Sequence, residues 1–186
     1  VEDGNLEILK LLSSTSALIS QGEILQLQHR GDVDMLEETY LKIISNKTAA
    51  LFLAAAKIGS IITEKENKYK DALESYGKNL GLTFQIADDA LDYNSNLKIF
   101  GKNIGNDFFE GKVTLPIILL FQKINDNEKK LLKDYFLKEK RTEDDLKKVL
   151  QLIKNHNIIK ECYKKAEHYI NLASNSLNIF QNSSEK

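Results

Sequence analysis

Apolar residues return at spacings of three and four along nearly the whole chain, and period-two alternation is scarce. The pattern predicts helices packed on their apolar faces and an all-α fold. A first helix is expected from about Leu6 to Arg30, with Leu6, Leu9, Leu12, Ile19, Leu25 and Leu27 as its apolar positions and Gly22, Glu23 and Gln26 inside it. Gly31-Asp32-Val33-Asp34 reads as a turn. Glu37 to Ser45 reads as a short amphipathic helix with Tyr40, Leu41, Ile43 and Ile44 turned inward. Asn46-Lys47-Thr48 then opens a run of small and apolar residues, Ala49 to Ile62, whose alanines permit close helix packing. That run is too short and too interrupted for a membrane span, which takes about 20 apolar residues.

Glu64 to Lys70 is polar and reads as a loop or a helix start. A long helix is expected from about Tyr69 to Tyr93. Gly77 and Gly81 lie four apart on it, leaving room for a ligand or for a neighbouring helix. Asn94 to Lys112 has weak periodicity and three glycines, and loops of that length in a compact domain tend to be functional. Val113 to Lys123 is apolar, with the only proline, Pro116, placed as for a first helical turn. Three further helices are expected at roughly 128–138, 142–155 and 158–180, the second opened by Thr142 with acidic residues behind it. Gln181 to Lys186 is polar and expected to fray. The whole chain, 1–186, reads as one domain without an internal repeat or linker.

One stretch breaks the apolar logic: Phe84-Gln85-Ile86-Ala87-Asp88-Asp89-Ala90-Leu91-Asp92-Tyr93. Asp88 and Asp92 are four apart and share a helix face with Gln85, while Asp89 lies about 100° round the helix. Three carboxylates among Phe84, Ile86, Leu91 and Tyr93 repel one another and resist burial. A hard, oxygen-preferring cation such as Mg²⁺, carrying a phosphate-bearing substrate, satisfies them. Bulk charge adds no alternative: the net charge of -1 offers nothing to nucleic acid or an anionic membrane. One cysteine, Cys162, rules out an internal disulfide and a cysteine-based zinc site and suits a reducing, cytoplasmic setting. His29, His156 and His168 have no partners at ligand spacing. The chain begins at Val1 already in helical periodicity, as an excised piece or a chain with its start missing would.

The acidic stretch resembles the second aspartate-rich motif of the trans-polyprenyl diphosphate synthases. Gly101-Lys102-Asn103-Ile104-Gly105-Asn106-Asp107-Phe108-Phe109-Glu110-Gly111-Lys112-Val113-Thr114-Leu115-Pro116 resembles the loop that follows that motif in long-chain members. Ser45-Asn46-Lys47-Thr48-Ala49-Ala50-Leu51-Phe52 resembles their Lys-Thr motif, and Gly22-Glu23-Ile24-Leu25-Gln26-Leu27 the helix before it. The likeness covers Val1 to Pro116 and is closest to octaprenyl-type synthases. It implies a helical isoprenoid synthase bundle, here lacking its N-terminal helices. It implies Mg²⁺-dependent head-to-tail condensation of isopentenyl diphosphate onto an allylic diphosphate, with quinone side chains as the destination. Diphosphate loss leaves an allylic cation that the alkene attacks, so the protein's work is electrostatic and no residue is assigned as a catalytic acid, base or nucleophile. By resemblance Asp88 is the principal metal ligand, and Asp89 and Asp92 are supporting ligands or acceptors behind it. Lys47, Thr48, Gln85, Lys102 and Lys112 contact substrate diphosphate; Asp107 and Glu110 hold the loop or an outer metal shell.

The family's first aspartate-rich motif is absent. Asp144-Asp145 is the only other paired acid of near the right type, and with only Arg30 and Arg141 in the chain no arginine pair follows it. The chain is therefore expected to be part of a synthase, with broad apolar helix faces exposed that favour a homo-oligomer or pairing with an N-terminal half. Two readings follow: the metal-binding half of a synthase, or a non-catalytic remnant or accessory subunit.

Overall fold

The computed structural model describes residues 4–94 and 104–183, and among these every regular element is helical. The helices are α1 (Leu6–Gln28), α2 (Glu37–Ile44), α3 (Ala50–Ile62), α4 (Asn67–Asp92), α5 (Asn106–Glu110), α6 (Leu115–Lys123), α7 (Asp126–Leu137), α8 (Glu143–Asn155) and α9 (Ile158–Ser176). A π-helical turn, Ser45–Ala49, joins α2 to α3, and a 3₁₀ turn, Leu177–Ile179, follows α9. The hydrophobic pattern located these helices because each must bury one face. It did not anticipate α5, set within the expected Asn94–Lys112 loop, nor the π turn, nor the change of geometry at Leu177.

The helix starts follow from local chemistry. The Asn5 side chain accepts the backbone N–H groups of Glu7 and Ile8 and caps α1. Asn125 with Glu128, and Thr142 with Asp145, form capping boxes at α7 and α8. Asp144-Asp145 thus belongs to a helix cap rather than to an acidic motif. Asp145 is held down to about 2 by the Lys138 ammonium, which it meets at 2.7 Å, and by the Thr142 N–H and hydroxyl that donate to it. Pro116 sits in the first turn of α6, where its missing N–H has no helical partner to lose.

By its internal contacts the chain forms two compact units. The first comprises residues 1–24, 41–85 and 166–186. Its helices pack closely where the sequence places small residues. A Cβ on Gly77 would meet the Phe52 carbonyl oxygen at 2.5 Å, and one on Gly81 would meet Ala49 Cα at 2.5 Å. The small-residue stripe of α4 therefore serves a neighbouring helix, not a ligand. On α1 only Thr15 and Gly22 are buried, and Leu6, Leu9, Leu12, Leu18 and Ile24 are exposed, a broad apolar surface of the kind expected from the absence of the first aspartate-rich motif.

The second unit comprises residues 25–40 and 86–165. Leu115 to Leu120 are all buried, so α6 is apolar on every side and forms its centre. Around it lie Tyr40, Ile86, Tyr93, Phe108, Leu132, Phe136, Val149, Ile153 and Ile158. Gly105 and Gly111 bracket α5 in left-handed conformation, at φ of 83° and 71°. The Gly31 N–H donates to the Gly111 carbonyl at 2.9 Å, tying the turn after α1 to the end of α5. No helix among the described residues is long and apolar enough to cross a membrane.

Candidate functional site

In the second unit, the last two turns of α4 carry the three aspartates, and the fold gives each a different setting. Asp88 is half-buried. Asp89 is buried, and its Oδ2 accepts the Tyr40 hydroxyl at 2.6 Å. Asp92 ends the helix, and its carboxylate accepts the backbone N–H of Asn106 at 3.2 Å and of Asp107 at 3.0 Å. The Asp92 carbonyl accepts Gly105 N–H at 2.8 Å. A single residue thus stops the acidic helix and caps α5, drawing the segment from Ile104 to Lys112 back to the acidic motif.

That segment brings a fourth carboxylate and a cation. Asp107 is pushed up to about 6 by burial, then by the negative charge of Asp92, Glu110 and Asp88; Lys112 opposes these. Lys112 Nζ stands 2.6 Å from Glu110 and 3.8 Å from Asp107. Lys102 lies outside the described residues. Among the described residues no three His, Cys, Asp or Glu side chains are grouped to hold a metal ion by themselves. The donor set nonetheless suits Mg²⁺. It is all oxygen, its carboxylates gather closely enough that burial and then their charge lift Asp107, and such an ion takes one or two carboxylates with phosphates and water completing its octahedron.

In the first unit, the π turn sets Lys47 and Thr48 in succession. Wide turns of this kind recur at functional sites because the extra residue re-aims side chains. Lys47 Nζ pairs with Glu23 at 2.6 Å, and Thr48 donates its hydroxyl to Gln85 Oε1 at 2.7 Å. Gly22 makes this possible: a Cβ there would lie 2.6 Å from the Lys47 nitrogen, so only glycine lets α1 come this close. Two sequence-level candidates, Thr48 and Gln85, are joined directly.

Two residues were not selected from sequence. Tyr40 reads as one more inward-facing core position; the signal was that a buried phenol and a buried carboxylate each need a partner. Glu23 was seen only as part of a motif, and its pairing with Lys47 depends on two helices meeting. The histidines have ordinary roles: His29 Nδ1 meets Asp32 at 2.9 Å within its turn, and His168 packs edge-on against Tyr169.

Residues 1–153 match the polyprenyl synthetase family. The chain is 43% identical over 115 residues to the octaprenyl diphosphate synthase of Escherichia coli, covering 62% of this chain and 36% of that protein. It is 34% identical over 183 residues to the all-trans-nonaprenyl-diphosphate synthase (geranyl-diphosphate specific) of Rhodobacter capsulatus, covering 98% of this chain and 55% of that one. Its fold superposes on a polyprenyl synthase from Caulobacter crescentus, complexed with calcium and isoprenyl diphosphate, with a TM-score of 0.92 at 35% identity, covering 98% of this chain and 56% of that one. The chain spans about half the length, or less, of the proteins it matches here. With the family model matching residues 1–153 and a relative 34% identical over 98% of this chain, the chain belongs to the polyprenyl synthetase family.

Proposed function

We propose that this chain is the diphosphate-handling portion of a polyprenyl diphosphate synthase. The reaction is head-to-tail condensation of isopentenyl diphosphate onto an allylic diphosphate, of octaprenyl type, supplying quinone side chains. The observation that carries the reading is the Asp92 clamp. By accepting two N–H groups of α5 it returns Asp107 and Lys112 to the acidic end of α4, joining carboxylates with a loop lysine.

Asp88 would hold Mg²⁺, with Asp92 and Asp89 behind it; when bound, the ion neutralises the diphosphate as it leaves. Lys112 adds a point charge on a segment held in register by Asp92, and Lys102 is assigned the same work. Lys47 and Thr48 bind diphosphate oxygens as a charge and a hydroxyl donor. Both are already engaged, Lys47 by Glu23 and Thr48 by Gln85, so they are oriented before any ligand arrives and share their donors on binding. Positioning and charge, rather than proton transfer, account for the chemistry asked of these residues.

The exposed apolar face of α1 supports a second element of the reading: the described residues work beside further helices, whichever chain supplies them, in a homo-oligomer or with an N-terminal half. Alone, it binds diphosphate weakly and does not elongate chains. The test is incorporation of radiolabelled isopentenyl diphosphate with Mg²⁺, by the chain alone and with an N-terminal half of a relative added. Asp88→Ala abolishes activity wherever the completed enzyme has it. Robust long-chain product from the chain alone, or tolerance of Asp88→Ala, would overturn the assignment.

A further inference from the structure

Resting on that reading, we propose that Tyr40 is a positioning residue that decides which of two adjacent carboxylates, Asp88 or Asp89, α4 presents to the cation. Neighbouring residues on a helix point about 100° apart, so Asp88 and Asp89 cannot face the same way. A rotation of the last turns of α4 by about that angle would exchange them. Asp89 is only 4% exposed and Tyr40 1%, and the 2.6 Å bond between them is a charge-assisted contact of a kind stronger than a neutral one. A carboxylate so enclosed is tolerated only when a donor meets it. Without the phenol, Asp89 would lose a buried donor, and the hold on the facing of Asp88 would loosen with it.

The donor is itself held. Glu37, one turn before Tyr40 on α2, pairs with Lys165 of α9 at 2.7 Å. Cys162, one turn before Lys165, is fully buried, and its thiol is pushed up to about 12 by burial and then by the Asp89 charge. Three helices thus meet at Asp89: α2 brings the hydroxyl, α9 braces α2, and α4 is registered by the bond. Tyr40 lies 49 residues before Asp89 in the chain, so the register of the acidic motif is set by a distant element.

This account and a direct ligand role for Asp89 predict opposite mutational patterns. The measurement is isothermal titration of the chain with inorganic diphosphate in the presence of Mg²⁺, at chain and diphosphate concentrations high enough to register the weak binding expected of the chain alone, with circular dichroism to establish that each variant is folded. Tyr40→Phe is expected to weaken binding about tenfold, as loss of a supporting partner does at metal sites. Asp89→Ala costs about as much, and the double variant costs no more than either alone, because both remove one bond. Asp89→Asn, whose amide oxygen still accepts from the phenol, recovers part of the Asp89→Ala loss; it also serves where Tyr40→Phe does not fold. Tyr40→Phe binding as wild type does, with Asp89→Asn as weak as Asp89→Ala, would mean that Asp89 is a ligand and Tyr40 a packing residue. Absence of Mg²⁺-dependent diphosphate binding by the wild-type chain would sink the functional reading and the positioning role together, whereas wild-type binding that tolerates Tyr40→Phe sinks the positioning role alone.

Discussion

Replacing Asp92 by alanine separates its two roles, at the acidic motif and at the start of α5. In the folded chain its carboxylate accepts two backbone N–H groups, from Asn106 and Asp107, that no turn of α5 can satisfy. Loss of a capping carboxylate costs about 0.5–2 kcal/mol. One of the two bonds here is exposed and the other part-buried, which sets the local cost near 1.5 kcal/mol, or roughly tenfold in the opening equilibrium of α5. The opening should be local, because Phe108 remains packed against Phe136 and Gly111 remains tied to Gly31. Native-state hydrogen exchange followed by mass spectrometry is the assay. Peptides covering residues 106–112 should lose about tenfold protection, while those covering α7 and α8 change little. Asp92→Asn, which keeps one acceptor oxygen, should fall between the two. Unchanged exchange at residues 106–112 in Asp92→Ala would refute the clamp and, with it, the route by which Asp107 and Lys112 reach the acidic helix.

Two further outcomes concern the scaffold. Asp145 titrates near 2 when folded and near 4 when unfolded, so its ionised form stabilises the fold above about pH 4, and that contribution is lost as pH falls towards 2. Urea unfolding of Asp145→Ala should therefore show a lower midpoint than wild type at pH 7 and a shrinking difference between pH 4 and 2; a constant difference would contradict the charge pairing with Lys138. Gly81→Ala inserts a methyl where Ala49 Cα would stand 2.5 Å away, and since backbone must move, a loss of about 1–3 kcal/mol is expected in thermal melts, with no loss if the helices can part freely.

The helices were legible because their determinants are local. Apolar spacing of three and four located α1, α3, α4 and the three C-terminal helices to within a few residues, and Thr142 and Pro116 marked real starts. The places that escaped are those where local signals are weak. Alpha-helix α5 spans only Asn106–Glu110, too short to show a period, and its left-handed glycines read equally well as loop. The π turn at Ser45–Ala49 adds one residue to a continuous helical run, a change that no apolar spacing reports. Thr142 with the acidic residues behind it was legible as a helix start, whereas the pairing of Asp145 with Lys138 was not, because it depends on how the chain turns between α7 and α8.

By itself, the order of residues determined that there would be helices, that Asp88, Asp89 and Asp92 would stand on the end of one, and that Lys47 would precede Thr48 at the start of another. Those follow from the 3.6-residue turn and from chain connectivity. What each group does was decided by tertiary structure. Asp89 lies buried where Tyr40 donates to it, Asp92 caps a helix that begins 14 residues later, and Thr48 meets Gln85 across 37 residues. A carboxylate's role depends on which donors surround it, and those donors arrive only when distant segments pack.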